Sequence, residues 1–191
     1  MSPDEFVEKV FASGVIARPK PVAYGEQVSP HLKVGVDQLA SPDIGQMTLL
    51  PQSVALYEAA REILGQPIRV NAGWRTVAHE LALQDAGYRT AKWISPHCLG
   101  AALDLQLGLG AVGQPERNAE LQEALKSAAT KLQFPAPRLG HFAYSEHFTH
   151  VDLVFFLFKP YTELDHPGAW TELDPGVRQQ LGNSWQPGIS W

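Results

Sequence analysis

Asp104 is a carboxylate set in an apolar run, Ala101-Ala102-Leu103-Asp104-Leu105-Gln106-Leu107. Side chains alternate along a strand, so Leu103, Leu105 and Leu107 face one way and Ala102, Asp104 and Gln106 the other. A buried carboxylate without a partner costs several kcal/mol or more, so Asp104 needs a cationic partner. His97 stands in the loop just before this strand, and Gly100 with two alanines leaves that loop room to fold back. A second segment, Glu146-His147-Phe148-Thr149-His150-Val151-Asp152-Leu153, places His150 and Asp152 on one face of a strand and Val151 and Leu153 on the other. Imidazole nitrogen and carboxylate oxygen are both zinc donors. His97, Asp104 and His150 together make a set of two histidines and one carboxylate. Three protein ligands leave a fourth position for water, which a hydrolytic zinc site needs.

Taken singly, His97 or Asp104 reads as a hydrogen-bonded structural residue, and spacing alone permits a metal site without requiring one. His31 and His141 carry no supporting pattern and read as surface or packing residues. His79 reads as exposed on a helix. Cys98 reads as a small packing residue, with an extra ligand as the alternative beside His97.

The elements that must position these groups mix helices and strands without regular βαβ alternation, so the expected fold class is α+β. A short helix is expected over residues 3–11, with Phe6, Val7, Val10 and Phe11 on one face. Residues 17–45 read as an ordered arm rich in Pro and Gly. A helix follows over 51–65, with Pro51 in its first turn and Gly65 at its stop. Residues 67–74 read as a strand, and Thr76 caps a helix ending at Gly87. After the second strand, 101–107, the longest helix candidate covers 115–134, and a third strand covers 147–158. The tail from Lys159 is rich in Trp, Pro and Gly. Its repeated Thr-Glu-Leu-Asp, at 162–165 and 171–174, is too small to mark a solenoid.

Composition narrows the function further. The 191 residues are 45% hydrophobic and 18% charged, which suits a globular domain and not a disordered chain. With a net charge of -5 and no basic stripe, nothing recruits nucleic acid. One cysteine rules out an internal disulfide or a four-cysteine zinc knuckle. The most apolar run, Val151 to Phe158, is too short to span a bilayer. The acidic, amphipathic amino terminus lacks the basic start and apolar run of a signal peptide. The expectation is a protein made in the cytoplasm that reaches an external substrate only by export or release, a phage-type route included.

Ser95-x-His97-x-x-Gly100-x-Ala102-x-Asp104 resembles the signature of the zinc D-alanyl-D-alanine carboxypeptidases and related peptidoglycan endopeptidases. That group includes phage endolysins and shares its fold with the Hedgehog signalling domain. Ala72-Gly73-Trp74-Arg75-Thr76 resembles the family's Ser-Gly-aromatic-Arg-Ser element. Phe148-Thr149-His150-Val151-Asp152 resembles its terminal His-x-Asp strand, and Val28-Ser29-Pro30-His31-Leu32 the lead-in of one branch. The match runs in order over residues 28–155. It implies a small antiparallel central sheet flanked by helices, as residues 28–158, between an amino-terminal helix and arm (1–27) and the tail (159–191).

The resemblance also implies roles. His97, Asp104 and His150 would hold Zn2+. Arg75 would stabilise a substrate carboxylate or the oxyanion of a tetrahedral intermediate, for which its planar charged fork is suited. Ser95 would hydrogen-bond substrate, and Asp152 would orient a ligand imidazole. Many members carry Glu or Asp three residues before the last histidine ligand. Here His147 holds that place and Glu146 lies one residue earlier, so either is a candidate general base. The implied activity is hydrolysis of a peptidoglycan stem peptide at a bond involving a D-amino acid, by a carboxypeptidase or an endopeptidase. The alternatives are a zinc-binding module without turnover and a phage or secretion component that docks on the wall, the latter suggested by Trp170, Trp185 and Trp191. Oligomeric state is not legible.

Overall fold

A computed structural model describes residues 2–12, 14, 16–35, 41–88, 95–107, 115–134, 137–140 and 148–153. The expected tail (159–191), His141, Glu146 and His147 lie outside the described residues. The elements are α1 (Pro3–Ala12), β1 (Val22–Ala23), β2 (Gln27–Ser29), β3 (Leu32–Lys33), β4 (Gln46–Met47), α2 (Pro51–Leu64), β5 (Ile68–Ala72), α3 (Val77–Asp85), a 3-10 turn (Pro96–Leu99), β6 (Ala102–Leu107), α4 (Pro115–Lys131), β7 (Arg138–Gly140) and β8 (Thr149–Asp152). This is the α+β architecture expected.

The main sheet has the order β5-β6-β8-β7, antiparallel throughout. Its two faces differ as the alternation of β6 requires. Ile68, Val70, Leu103, Leu105, Leu107, Val151 and Leu139 form one buried apolar face. Leu56 and Ala60 of α2 and Leu121, Leu125 and Ala128 of α4 complete that core. Small residues where the two helices meet let their backbones approach closely. Tyr57 is buried whole because its hydroxyl donates to the Ile68 carbonyl at 2.8 Å. The opposite face carries Asp104, His150 and Asp152.

The arm expected over 17–45 is ordered, and with residues 46–47 it forms two small antiparallel pairs, β1 with β4 and β2 with β3. The β2–β3 turn docks on α2, where Glu58 accepts from the Ser29 hydroxyl, from the His31 amide at 3.1 Å and contacts His31 Nδ1 at 2.6 Å. Ser29-Pro30-His31 is thus an anchor for the arm. Of the third strand expected over 147–158, β8 covers Thr149–Asp152, Phe148 and Leu153 fall outside it, and residues 147 and 154–158 lie outside the described residues. Finally, β7 was not expected, because three residues beside prolines are too few to show a period.

Gly100 sets how closely the site loop approaches this framework. Its φ is +69°, and a Cβ there would stand 2.0 Å from the Thr48 carbonyl oxygen. Its own carbonyl accepts from the Leu50 amide at 2.9 Å and the Ser53 hydroxyl at 3.0 Å. Both the left-handed backbone and the contact exclude a side chain. Gly100→Ala is expected to lower unfolding stability by roughly 2–4 kcal/mol, from backbone strain and overpacking combined. Urea denaturation checks this, and an unchanged midpoint would contradict it.

Candidate metal centre

Three elements deliver the three candidate ligands. The register pairs Asp104 of β6 directly with His150 of β8, and Ala102 with Asp152. Directly opposed residues on one face are within side-chain reach, and His150 Nδ1 lies 2.9 Å from Asp104 Oδ1. His97 comes from the 3-10 turn. Ser95 caps that turn by accepting from the His97 amide at 3.4 Å, Pro96 supplies its first residue, and Gly100 ends it in the left-handed conformation. The turn folds back over β6 and brings His97 Nε2 to 3.4 Å from Asp104 Oδ1. His97, Asp104 and His150 can each offer one ligand atom so that all lie within 4.8 Å of one another. All three residues are buried.

The outer atom of each candidate ligand is already engaged. His97 Nδ1 lies 2.5 Å from the Gly73 carbonyl, so that nitrogen carries the proton and Nε2 points inward. His150 Nε2 lies 3.0 Å from Asp152 Oδ2. Asp104 Oδ2 accepts from Arg75 Nη2 at 3.4 Å. Metal ligands are oriented by such outer partners, which fix tautomer and ring direction. Asp152 thus lies against a candidate ligand imidazole.

Electrostatics favour a cation at the centre. Burial alone would raise the Asp104 pKa, but the neighbouring His97 and His150, through attraction and hydrogen bonds, outweigh it. The carboxyl is held well below its ordinary range. Burial pushes His97 below the usual histidine value, with Arg75 and His150 acting in the same direction against the attraction of Asp104. Burial would lower His150 as well, but its hydrogen bonds to Asp104 and Asp152 raise it above the usual value. His150 lies between the Asp104 and Asp152 carboxylates, and among the described residues Asp104, Asp152 and Glu80 are buried carboxylates at or next to the cluster, with Arg75 paired to two of them. The donor set, its spacing and its charge fit a divalent metal ion.

Arg75 is held at both ends of its fork, by Asp104 and by Glu80 Oε2 at 3.2 Å, and its side chain is 18% exposed. The turn that carries it is clamped by the arm. The Thr76 amide donates to Ser41 Oγ at 3.0 Å, and Asp43 accepts from both the Ser41 and Thr76 hydroxyls. Thr76 also caps α3 by accepting from the His79 amide. Cys98 is a packing thiol whose Sγ lies 3.9 Å from the Thr76 carbonyl, and burial pushes its pKa up. It is not in the ligand group. The structure thus brings together His97, Asp104, His150, Arg75 and Asp152, with Ser95 behind His97 as a buried cap.

Two contributors were not legible in the sequence. The Gly73 carbonyl has no residue-type signal at all. Glu80, in the first turn of α3, reads as an ordinary partner of the helix dipole, which masks its grip on Arg75.

No protein-family model matches the chain, and no curated protein matches it. Among solved structures, the crystal structure of the Serratia marcescens L-Ala D-Glu endopeptidase ChiX is similar, with a TM-score of 0.47 and 22% identity. The match covers 56% of this chain and 81% of that one. Nothing about reaction or metal follows from a likeness of that size.

Metal and proton compete for His150. Zinc titrated into the full-length chain is expected to bind one ion per chain and to release a proton. Its affinity should rise with pH through the histidine range and level off above the raised His150 value, because the metal-free form binds the extra proton. Asp152→Asn should weaken binding roughly 10–100-fold. Calorimetry in buffers of different ionisation enthalpy checks both, and pH-independent binding would contradict the scheme.

Proposed function

We propose that this chain is a zinc-dependent peptidase that hydrolyses peptidoglycan stem peptides at a bond involving a D-amino acid. The observation that carries the reading is the convergence of His97, Asp104 and His150 on one point, with the outer atom of each engaged. The choice of substrate is supported by the order and spacing of the three motifs around that centre. Two histidines and one carboxylate form the usual protein part of an open hydrolytic zinc site. Zinc bound there supplies a Lewis acid and a water whose pKa falls to about 7.

The chain's own residues do the rest. Asp104 and His150 fix the centre from facing strands, and His97 closes it from the turn. Asp152 and the Gly73 carbonyl hold the two imidazoles in their tautomers. Arg75 has five N–H donors, and those not spent on Asp104 and Glu80 serve a substrate carboxylate or the developing oxyanion. Ser95, while capping the His97 turn, would also hydrogen-bond substrate. His147 takes the proton from the attacking water and passes it to the leaving amine, with Glu146 as the alternative carrier. Among the described residues no helix is long and apolar enough to cross a membrane. Delivery to the wall by export or phage-type release is part of the proposal.

Zinc-loaded protein incubated with muropeptides should give cleavage products by mass spectrometry. Those products should vanish with a chelator and in His150→Ala. Full zinc occupancy without cleavage would overturn the enzyme reading in favour of a binding module without turnover. His147→Ala should lower kcat by roughly 10²–10⁴ while zinc stays bound, with Glu146→Ala much milder. The reverse ranking would transfer the base role to Glu146.

A further inference from the structure

A groove of about 450 Å³ lies between the arm and the turn that carries Arg75, lined among others by Tyr24, Asn71, Gly73, Trp74, Arg75 and His79. Three observations give it a direction and a chemistry. First, β5 is the edge of the main sheet, and among the described residues no strand but β6 pairs with it. Residues 71–73, which line the groove, are the end of that strand and its continuation. An open strand edge offers a row of backbone donors and acceptors to another extended chain. Second, the groove wall holds two residues that grip the candidate ligands from outside. Gly73, in its wall, is the residue whose carbonyl holds His97, and Arg75, also in its wall, holds Asp104. Third, Tyr24 gives the groove wall an aromatic surface. Tyr24 is 70% exposed and its ring packs against Gly35, where an added Cβ would stand 2.1 Å from it. The Tyr24 hydroxyl reaches the Gly35 carbonyl at 3.5 Å. Trp74 also lines the groove, tied down by its Nε1 donating to the Cys98 carbonyl at 3.3 Å.

From this geometry we propose that the groove binds an extended peptide as an added strand along β5, with one side chain on Tyr24 and the peptide running past Gly73 toward Arg75. Main-chain pairing supplies affinity, and the Tyr24 contact sets how far the peptide advances. The proposal rests on the peptidase reading for its substrate class, but not on turnover. Tyr24 belongs to the arm, outside the stretch that carries the family-like motifs, so this contact is a feature of this chain's own arm.

The test is binding without metal. The probe is a synthetic stem pentapeptide ending in D-Ala-D-Ala, titrated calorimetrically into chelator-treated full-length protein. Tyr24→Ala should weaken binding at least about fivefold, and Tyr24→Phe should leave it unchanged. Scanning the probe with single backbone N-methyl groups should find positions that abolish binding, since each removes one pairing donor. Equal binding to wild type and Tyr24→Ala, tolerance of every N-methyl group, or no binding at millimolar probe would each overturn the groove proposal. Binding that shows the expected pattern in a protein that never cleaves the peptide with zinc supports the groove and sinks the peptidase reading alone.

Discussion

The buried carboxylate of Asp104 is the constraint on which the rest of the structure depends. It sits on the second strand of the sheet, with β5 on one side and β8 on the other. A charge there is tolerable only with donors and cations around it. His97, His150 and Arg75 surround it from a turn, a strand and a loop. Each approach has its own requirement. His150 needs the β6–β8 register, His97 needs Gly100, and Arg75 needs the Ser41–Asp43–Thr76 clamp.

The same arrangement separates stability from function. The apolar face of the sheet, with α2 and α4, forms the core and makes no use of the polar face. The polar face gathers carboxylates that a purely structural domain would avoid, since replacing buried ionic groups by apolar ones is often neutral or stabilising. A metal ion would give such a cluster the positive charge it needs. The arm adds a second layer. It anchors on Glu58 far from the centre and clamps Thr76 next to it, so it braces the turn that carries Arg75.

Much of this was legible because alternation in a strand is unambiguous. Asp104 among leucines, and His150 and Asp152 two apart, could face only one way once 102–107 and 149–152 were strands. Helices α2 and α4 announced themselves by periodicity and by prolines at their starts. What the sequence hid was of two kinds. Short pairs such as β1–β4 and β7 hold too few residues for a period and form because tertiary neighbours supply their partners. Backbone groups such as the Gly73 carbonyl and the edge of β5 carry no side-chain signature, so only the fold brings them to the centre. The base candidates, His147 and Glu146, remain sequence-based proposals.

X-ray absorption at the zinc edge of the loaded full-length chain tests the central claim most directly. Two imidazoles and a carboxylate predict a shell of nitrogen and oxygen only, at about 2.0–2.2 Å, with the outer scattering of two imidazole rings. A sulfur neighbour at about 2.3 Å, which would bring Cys98 into the site, or a shell without imidazole scattering would contradict it.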